Sequence, residues 1–106
     1  MKFLIITRQK DSLLSLPPEM QMQVMEGVRA FIDKYRKAGK FQVFYNMPGL
    51  KGSVSICDVE SAEEGNQLWL ENPMYHFIDV EMYALSDWDA HMKATKEAYQ
   101  RRLAKK

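Results

Sequence analysis

Apolar and polar positions change their period along this chain, and each change marks an element. From Phe3 to Arg8 both parities start apolar, Phe3 and Ile5 on one side and Leu4 and Ile6 on the other. A sheet with one side open to water alternates more cleanly, so this strand is expected to be covered on both faces. Asp11 to Pro18 is a loop, yet Leu13, Leu14 and Leu16 make it apolar enough to fold down on something. Pro17-Pro18 suits a helix start, and Glu19 is favourable in the first turn. Met20, Val24, Val28, Phe31, Ile32 and Tyr35 then fall three and four apart, with Met25 widening the stripe. This is the spacing of an amphipathic helix. It should end near Ala38, capped by Gly39 after Lys34, Arg36 and Lys37.

Period two returns at Phe41 to Met47, with Phe41, Val43, Tyr45 and Met47 on one parity and Gln42, Phe44 and Asn46 on the other. Pro48-Gly49 makes a turn. Gly52 to Val59 alternates again, Val54 and Ile56 opposite Ser53, Ser55 and Cys57, so the two strands form a hairpin. Ser61 and Glu64 fit a capping box that opens a helix burying Ala62, Gly65, Leu68 and Trp69. Asn72-Pro73 ends it. The last strand puts Ile78, Val80, Met82 and Ala84 on one wholly apolar parity and Phe77, Asp79, Glu81, Tyr83 and Leu85 on the other. The apolar face should meet a packed layer, and the mixed face suits a cavity, water or a partner. Ser86 and Asp89 match a further capping box. From Asp87 onward a third helix is expected, with a thin stripe of Trp88, Met92, Thr95, Tyr99 and Leu103.

Strand, helix, two strands, helix, strand is the ferredoxin-like order. The expected architecture is therefore α+β, a βαββαβ domain over residues 1–85 with a four-stranded antiparallel sheet, plus a helical extension over 86–106. The extension holds too little apolar surface to be core and better suits lying across a neighbouring subunit. A chain of 106 residues with a formal charge of +1 forms one domain with no general pull toward nucleic acid or acidic lipid. The single cysteine, Cys57, excludes an internal disulfide and fits a reducing, cytoplasmic setting. Met1–Thr7 is too short for a signal-peptide core or a membrane span.

Asp58-Val59, the turn Asn72-Pro73-Met74-Tyr75 and the strand Phe77-Ile78-Asp79-Val80-Glu81 together resemble the muconolactone isomerase family. The resemblance follows residues 1–85 in order and length, and is specific over 58–85. It implies subunits that pair into a dimeric α/β barrel, often within larger rings, and favours a partner's sheet as the second cover of strand one. It also implies a reaction that shifts a double bond by moving a proton, with acid/base side chains and no cofactor. Family members carry a histidine and a basic residue on strand one, where this chain has Leu4 and Ile6. They carry a lysine and a glutamate inside the first helix, at positions that fall here on Met25 and Val28. A basic or imidazole group on strand two corresponds to Val43.

Two explanations fit the replacement of five polar positions by apolar ones. Either the cavity has closed into core, or it has become an apolar pocket for a greasier ligand. The pocket is favoured, because the barrel tends to leave space inside and such pockets are apolar with a few orienting polar groups. Met20, Met22, Met25 and Met47 would adapt to an irregular ligand and are equally ordinary core fillers.

Candidate chemistry is sparse. No P-loop, dinucleotide glycine pattern, nucleophile elbow or zinc spacing is present in the sequence, so neither a metal nor a cofactor is expected. His76 can exchange a proton near neutral pH, though a turn histidine is more often simply exposed. Tyr45 could orient a carbonyl, and Arg8 could pair with Asp79, Glu81 or an anionic substrate group. Asp79 and Glu81 are about 6–7 Å apart on one parity and read better as structural or subunit contacts. The expected site is thus His76, Tyr45 and Arg8 as catalytic groups, with Leu4, Ile6, Met25, Val28, Val43 and Cys57 lining it. Cys57 is expected to be chemically inert. The function expected first is a cofactor-independent isomerase or cyclase acting on a hydrophobic carbonyl compound in specialised metabolism. A non-catalytic binding or assembly protein comes second, and a cofactor-free monooxygenase third.

Overall fold

The computed structural model describes residues 1–105. Strand β1 (Lys2–Gln9) leads to helix α1 (Pro18–Lys37), strands β2 (Phe41–Met47) and β3 (Gly52–Asp58), helix α2 (Ala62–Leu70), strand β4 (Ile78–Leu85) and helix α3 (Trp88–Ala104). The strands form one antiparallel sheet in the order β2-β3-β1-β4. This is the ferredoxin-like βαββαβ arrangement with α3 added.

Local chemistry explains the boundaries. Pro18 opens α1, Lys34, Arg36 and Lys37 lie in its last turn, and Gly39 follows with φ 75°. Only a residue without Cβ enters that left-handed region freely. At α2 the Ser61 hydroxyl accepts from Glu64 N at 3.1 Å, while the Glu64 carboxylate accepts from Glu60 N at 2.6 Å and from Lys40 Nζ at 2.9 Å. The Glu60 backbone N–H first, and Lys40 second, hold the Glu64 carboxyl below its ordinary range; the same bond raises Lys40. The start of α3 departs from expectation. Asp87, not Ser86, is its cap and accepts from Ala90 N at 2.8 Å. The helix therefore begins one residue later than the Ser86 box implies, and the Asp87 carboxylate satisfies one of its orphan first-turn N–H groups.

One face of the sheet carries α1 and α2. Phe3, Ile5 and Thr7 of β1 stand beside Cys57, Ser55 and Ser53 of β3, and beside Ala84, Met82 and Val80 of β4. The apolar parity of β4 thus meets the packed layer, as its pattern requires. On β2 the pattern misleads. The register slips between Phe41 and Val43, so Phe41 pairs with Cys57 and Phe44 with Ser55. A bulge at Gln42 therefore turns Phe41 to the helix side together with Phe44 and Asn46, and leaves Val43, Tyr45 and Met47 on the other. Phe31, Phe41, Phe44 and Trp69 then pack as rings with centroids 5.4 to 6.4 Å apart. Phe3, Ile5, Cys57, Val59, Leu68 and Ile78 complete the core.

The loop after β1 forms a short 3-10 turn over Asp11–Ser15 in which Leu13 is buried and Leu14 lies exposed. No element among the described residues covers the opposite sheet face. Leu4, Ile6, Val43, Val54 and Ile56 are half-buried there and Tyr45 is 66% exposed. Helix α3 buries no residue, and the chain measures 68 × 28 × 21 Å because this helix stands out from the body.

At Gly52 the backbone of β1 leaves no room for a side chain on β3. A Cβ at this position would lie 1.8 Å from the Thr7 carbonyl oxygen and 3.2 Å from Arg8 Cα. Backbone cannot yield as a side chain does. Gly52→Ala is therefore expected to destabilise the fold by about 3 kcal/mol or more, measured by urea unfolding, whereas Gly49→Ala, which meets nothing within 4 Å, should unfold much as the parent does.

Candidate functional site

A cleft of about 450 Å³ lies between α1 and the helix-facing side of the sheet, at the end where β1 leaves the core. Met25, Val28 and Ile32 form its helical wall, and Phe44, Met74 and Ile78 close it from the sheet and the turn before β4. Thr7, Gln9, Asn46 and Ser53 floor it, Asn72 lies on its far side, and Lys51 stands at the β2–β3 turn. Lys51 is the one titratable side chain among the described residues that line it.

Each polar group is placed by the backbone. Lys51 sits at φ 50°, where a Pro48–Leu50 3-10 turn ends. Its N–H donates to Pro48 O at 3.2 Å and its carbonyl accepts from Gln9 N at 2.9 Å, which locks the turn to the end of β1. The Asn72 carboxamide oxygen accepts from Met74 N at 2.9 Å. Only an acceptor can take that N–H, so the amide orientation is determined and its NH2 stays available as a donor. Thr7 and Ser53 share one hydrogen bond at 2.7 Å between their hydroxyls, and Thr7 Oγ1 also accepts from Ser53 N at 3.1 Å. Two hydroxyl protons serve one mutual bond, so one proton remains to donate whichever way that bond runs. The cleft therefore offers an apolar wall, neutral donors and one ammonium group.

The residues expected at the site separate into four places. Met25 and Val28 come together on the cleft wall. Leu4, Ile6, Arg8, Val43 and Tyr45 lie on the opposite, open face of the sheet, because Thr7 rather than Ile6 or Arg8 carries the helix-facing parity. There Arg8 pairs with Glu81, which also accepts from the Tyr83 hydroxyl at 2.6 Å. The Tyr83 bond first and Arg8 second hold the Glu81 carboxyl below its usual range, and the same bond raises the Tyr83 phenol. His76 is exposed on a 3-10 turn, Tyr75–Phe77, beside a second hollow lined by Lys10 and Asp79. Ile78 borders both hollows. Cys57 is fully buried in the core, not on the cleft, because it lies two rungs inward from Ser53. The structure does not bring His76, Tyr45 and Arg8 together.

Sequence reasoning missed Thr7, Gln9, Asn46, Lys51, Ser53 and Asn72. A signal was present for two of them, since Thr7 and Gln9 continue the parity of Phe3 and Ile5 and are polar where that parity should be buried. Asn72 read only as a turn residue. Among the described residues no three His, Cys, Asp or Glu side chains cluster as metal ligands.

Fold and cleft define a small α+β protein with a mostly apolar cleft between helix and sheet. The sequence profile described as muconolactone delta-isomerase matches residues 1–91, and the chain belongs to that family. It is 27% identical over 73 residues to the muconolactone Δ-isomerase of Acinetobacter baylyi, a span of 69% of this chain and 76% of that protein. It is 23% identical over 78 residues to the Rhodococcus opacus enzyme, covering 74% of this chain and 84% of the relative. Among solved structures, a muconolactone isomerase superposes with a TM-score of 0.67 at 20% identity, over 82% of this chain and 90% of that one. The 5-chloro-2-hydroxyhydroquinone dehydrochlorinase of Burkholderia phenoliruptrix, in complex with 2,5-dihydroxybenzoquinone, also gives 0.67, at 17% identity over 85% of this chain and 98% of that one. The structural likenesses speak for the fold.

Burial pushes the Cys57 thiol up to about 11. In the folded protein Cys57 is expected to stay unmodified by iodoacetamide at pH 8 and to react fully in denaturant, as read by intact mass. Labelling of the folded protein at the denatured rate would place this thiol outside the core.

Proposed function

We propose that this chain is a cofactor-independent, isomerase-type enzyme that moves a proton within a hydrophobic, carbonyl-bearing small molecule held in the cleft. The carrying observation is the composition of that cleft, with Met25, Val28 and Ile32 on one side and the spare donors plus Lys51 on the other. Family membership supports the reaction class. When a proton leaves the carbon beside a carbonyl, negative charge passes to the carbonyl oxygen. The spare Thr7–Ser53 hydroxyl proton and the Asn72 NH2 group are suited to receive it, and the Lys51 ammonium lowers its energy further. The proton then returns to another carbon of the same molecule, so atoms balance without a co-reactant. His76, across Ile78 from the cleft, remains the imidazole candidate for carrying that proton. With Met25 and Val28 where the family has charged groups, the substrate is expected to be greasier than muconolactone.

Lys51→Met is expected to lower turnover about 100-fold with little change in melting temperature. The assay is solvent deuterium incorporation into unsaturated lactones, muconolactone included, followed by NMR. Unchanged exchange would remove Lys51 from the site, and His76→Ala measured alongside tests the imidazole. Binding without any exchange would favour the second reading, a non-catalytic small-molecule binder, which the absence of a lining carboxylate or imidazole among the described residues also suits. Consumption of dioxygen would point to a monooxygenase instead.

The open sheet face is read as the contact of a homodimer in which two sheets close a barrel. Leu4, Ile6, Val43, Val54 and Ile56 would lose their remaining exposure there. Ile56→Lys is expected to turn a dimeric native mass spectrum monomeric; a variant that stays dimeric would place the contact elsewhere. The buried thiol fits a reducing compartment, and no helix among the described residues is long and apolar enough to cross a membrane.

A further inference from the structure

On the helix-facing side of the sheet the side chains line up in rungs. Thr7, Ser53 and Asn46 make one rung, Ile5, Ser55 and Phe44 the next, and Phe3, Cys57 and Phe41 the third. The first floors the cleft, and the third is core. The middle rung carries an anomaly. Ser55 is 0% exposed and its hydroxyl has no hydrogen-bond partner among the described residues; the indole N–H of Trp69, at 2% exposure, has none either. Buried donors without acceptors destabilise a fold, and Ala or Phe would fill these places without that cost.

Both orphan groups flank a single side chain. Phe44 is the cross-strand partner of Ser55, and its ring stacks on Trp69 with centroids 6.4 Å apart and planes 26° apart. Phe44 also forms the inner wall of the cleft and is only partly buried. It stands on the edge strand, next to the bulge where the ladder with β3 is interrupted. As an edge-strand residue it is paired with neighbouring backbone on one side only.

We infer that Phe44 is a shutter. Turned aside, it extends the cleft inward by one rung and exposes the Ser55 hydroxyl and the Trp69 N–H as donors for an acceptor oxygen at the buried end of the ligand. The inference rests on reading the cleft as the substrate site. It narrows the ligand to a flat molecule with oxygen acceptors at both ends, one toward Lys51 and one at the middle rung.

The shutter is tested without a ligand by placing Ser55→Cys in a Cys57→Ala background. Its thiol is compared with Cys57 of the parent, one rung deeper, for modification of the folded protein by methyl methanethiosulfonate, read by intact mass. Modification at least ten times faster at position 55 is expected; equal rates would overturn the shutter. Should that double variant fail to fold, Ser55→Ala decides. It is expected to melt at or above the parent temperature while binding 2,5-dihydroxybenzoquinone about fivefold more weakly, as the loss of one hydrogen bond implies. Unchanged binding or a lower melting temperature would assign the hydroxyl to the fold and end the proposal. A parent protein that binds no quinone and exchanges no lactone proton counts against the enzyme reading alone, and the thiol comparison still decides the shutter.

Discussion

The aromatic cluster of Phe31, Phe41, Phe44 and Trp69 ties both helices to the sheet, and it depends on the bulge at Gln42. In an unbroken strand Phe41 and Phe44 would point to opposite faces. One extra residue puts both on the helix side, where Phe31 of α1 meets Phe41 edge-on and Trp69 of α2 lies tilted against Phe41 and stacked on Phe44. Rings in these geometries add to the area they bury. Phe31 is the one residue of α1 that is fully buried, so the helix is pinned near its C-terminal half. Its N-terminal half bears Met20, Met22 and Met25, each roughly half exposed or more. The cleft is the space that this one-sided pinning leaves.

That space is bounded by groups whose positions follow from strand pairing rather than from their own packing. Gly52 lets β3 approach the Thr7 carbonyl, which brings the Thr7 and Ser53 hydroxyls within 2.7 Å of each other. The tie between Gln9 N and Lys51 O keeps the turn, and with it the ammonium group, at the same end of the sheet. Asn72 is held by the turn it helps to form. The donors are therefore held in place by the fold itself, which is the preorganisation that the proposed proton transfer needs. The apolar wall, built of unbranched methionine and short aliphatic side chains, is the adaptable part.

Legibility in the sequence differed between these parts. Met25 and Val28 were visible as inward positions of an amphipathic helix, and the structure puts both on the cleft. Leu4, Ile6 and Val43 were equally visible as apolar strand positions, yet they face away from it. Alternation says which residues share a face and not which face carries the helices. Both parities of β1 are apolar, so nothing local breaks the tie. Thr7, Ser53 and Asn46 meet only through the register of three strands, and that register includes a bulge without a sequence marker of its own. Tyr45 and Arg8 looked chemically useful, but their partners lie on the open face, where Arg8 bonds Glu81 and Tyr45 stays exposed.

By itself the sequence determined the element order, the helix limits set by Pro18, Gly39 and Ser61, the packed parity of β4 and the family. Each of these depends on neighbours a few residues apart or on a contiguous motif. The tertiary structure alone decided which sheet face holds the cleft, that Cys57 is core, that the thin stripe of α3 is not buried among the described residues, and that the Ser55 hydroxyl and the Trp69 indole N–H have no hydrogen-bond partner among them. Those outcomes are set by whether contacts form across tens of residues, which no local preference determines.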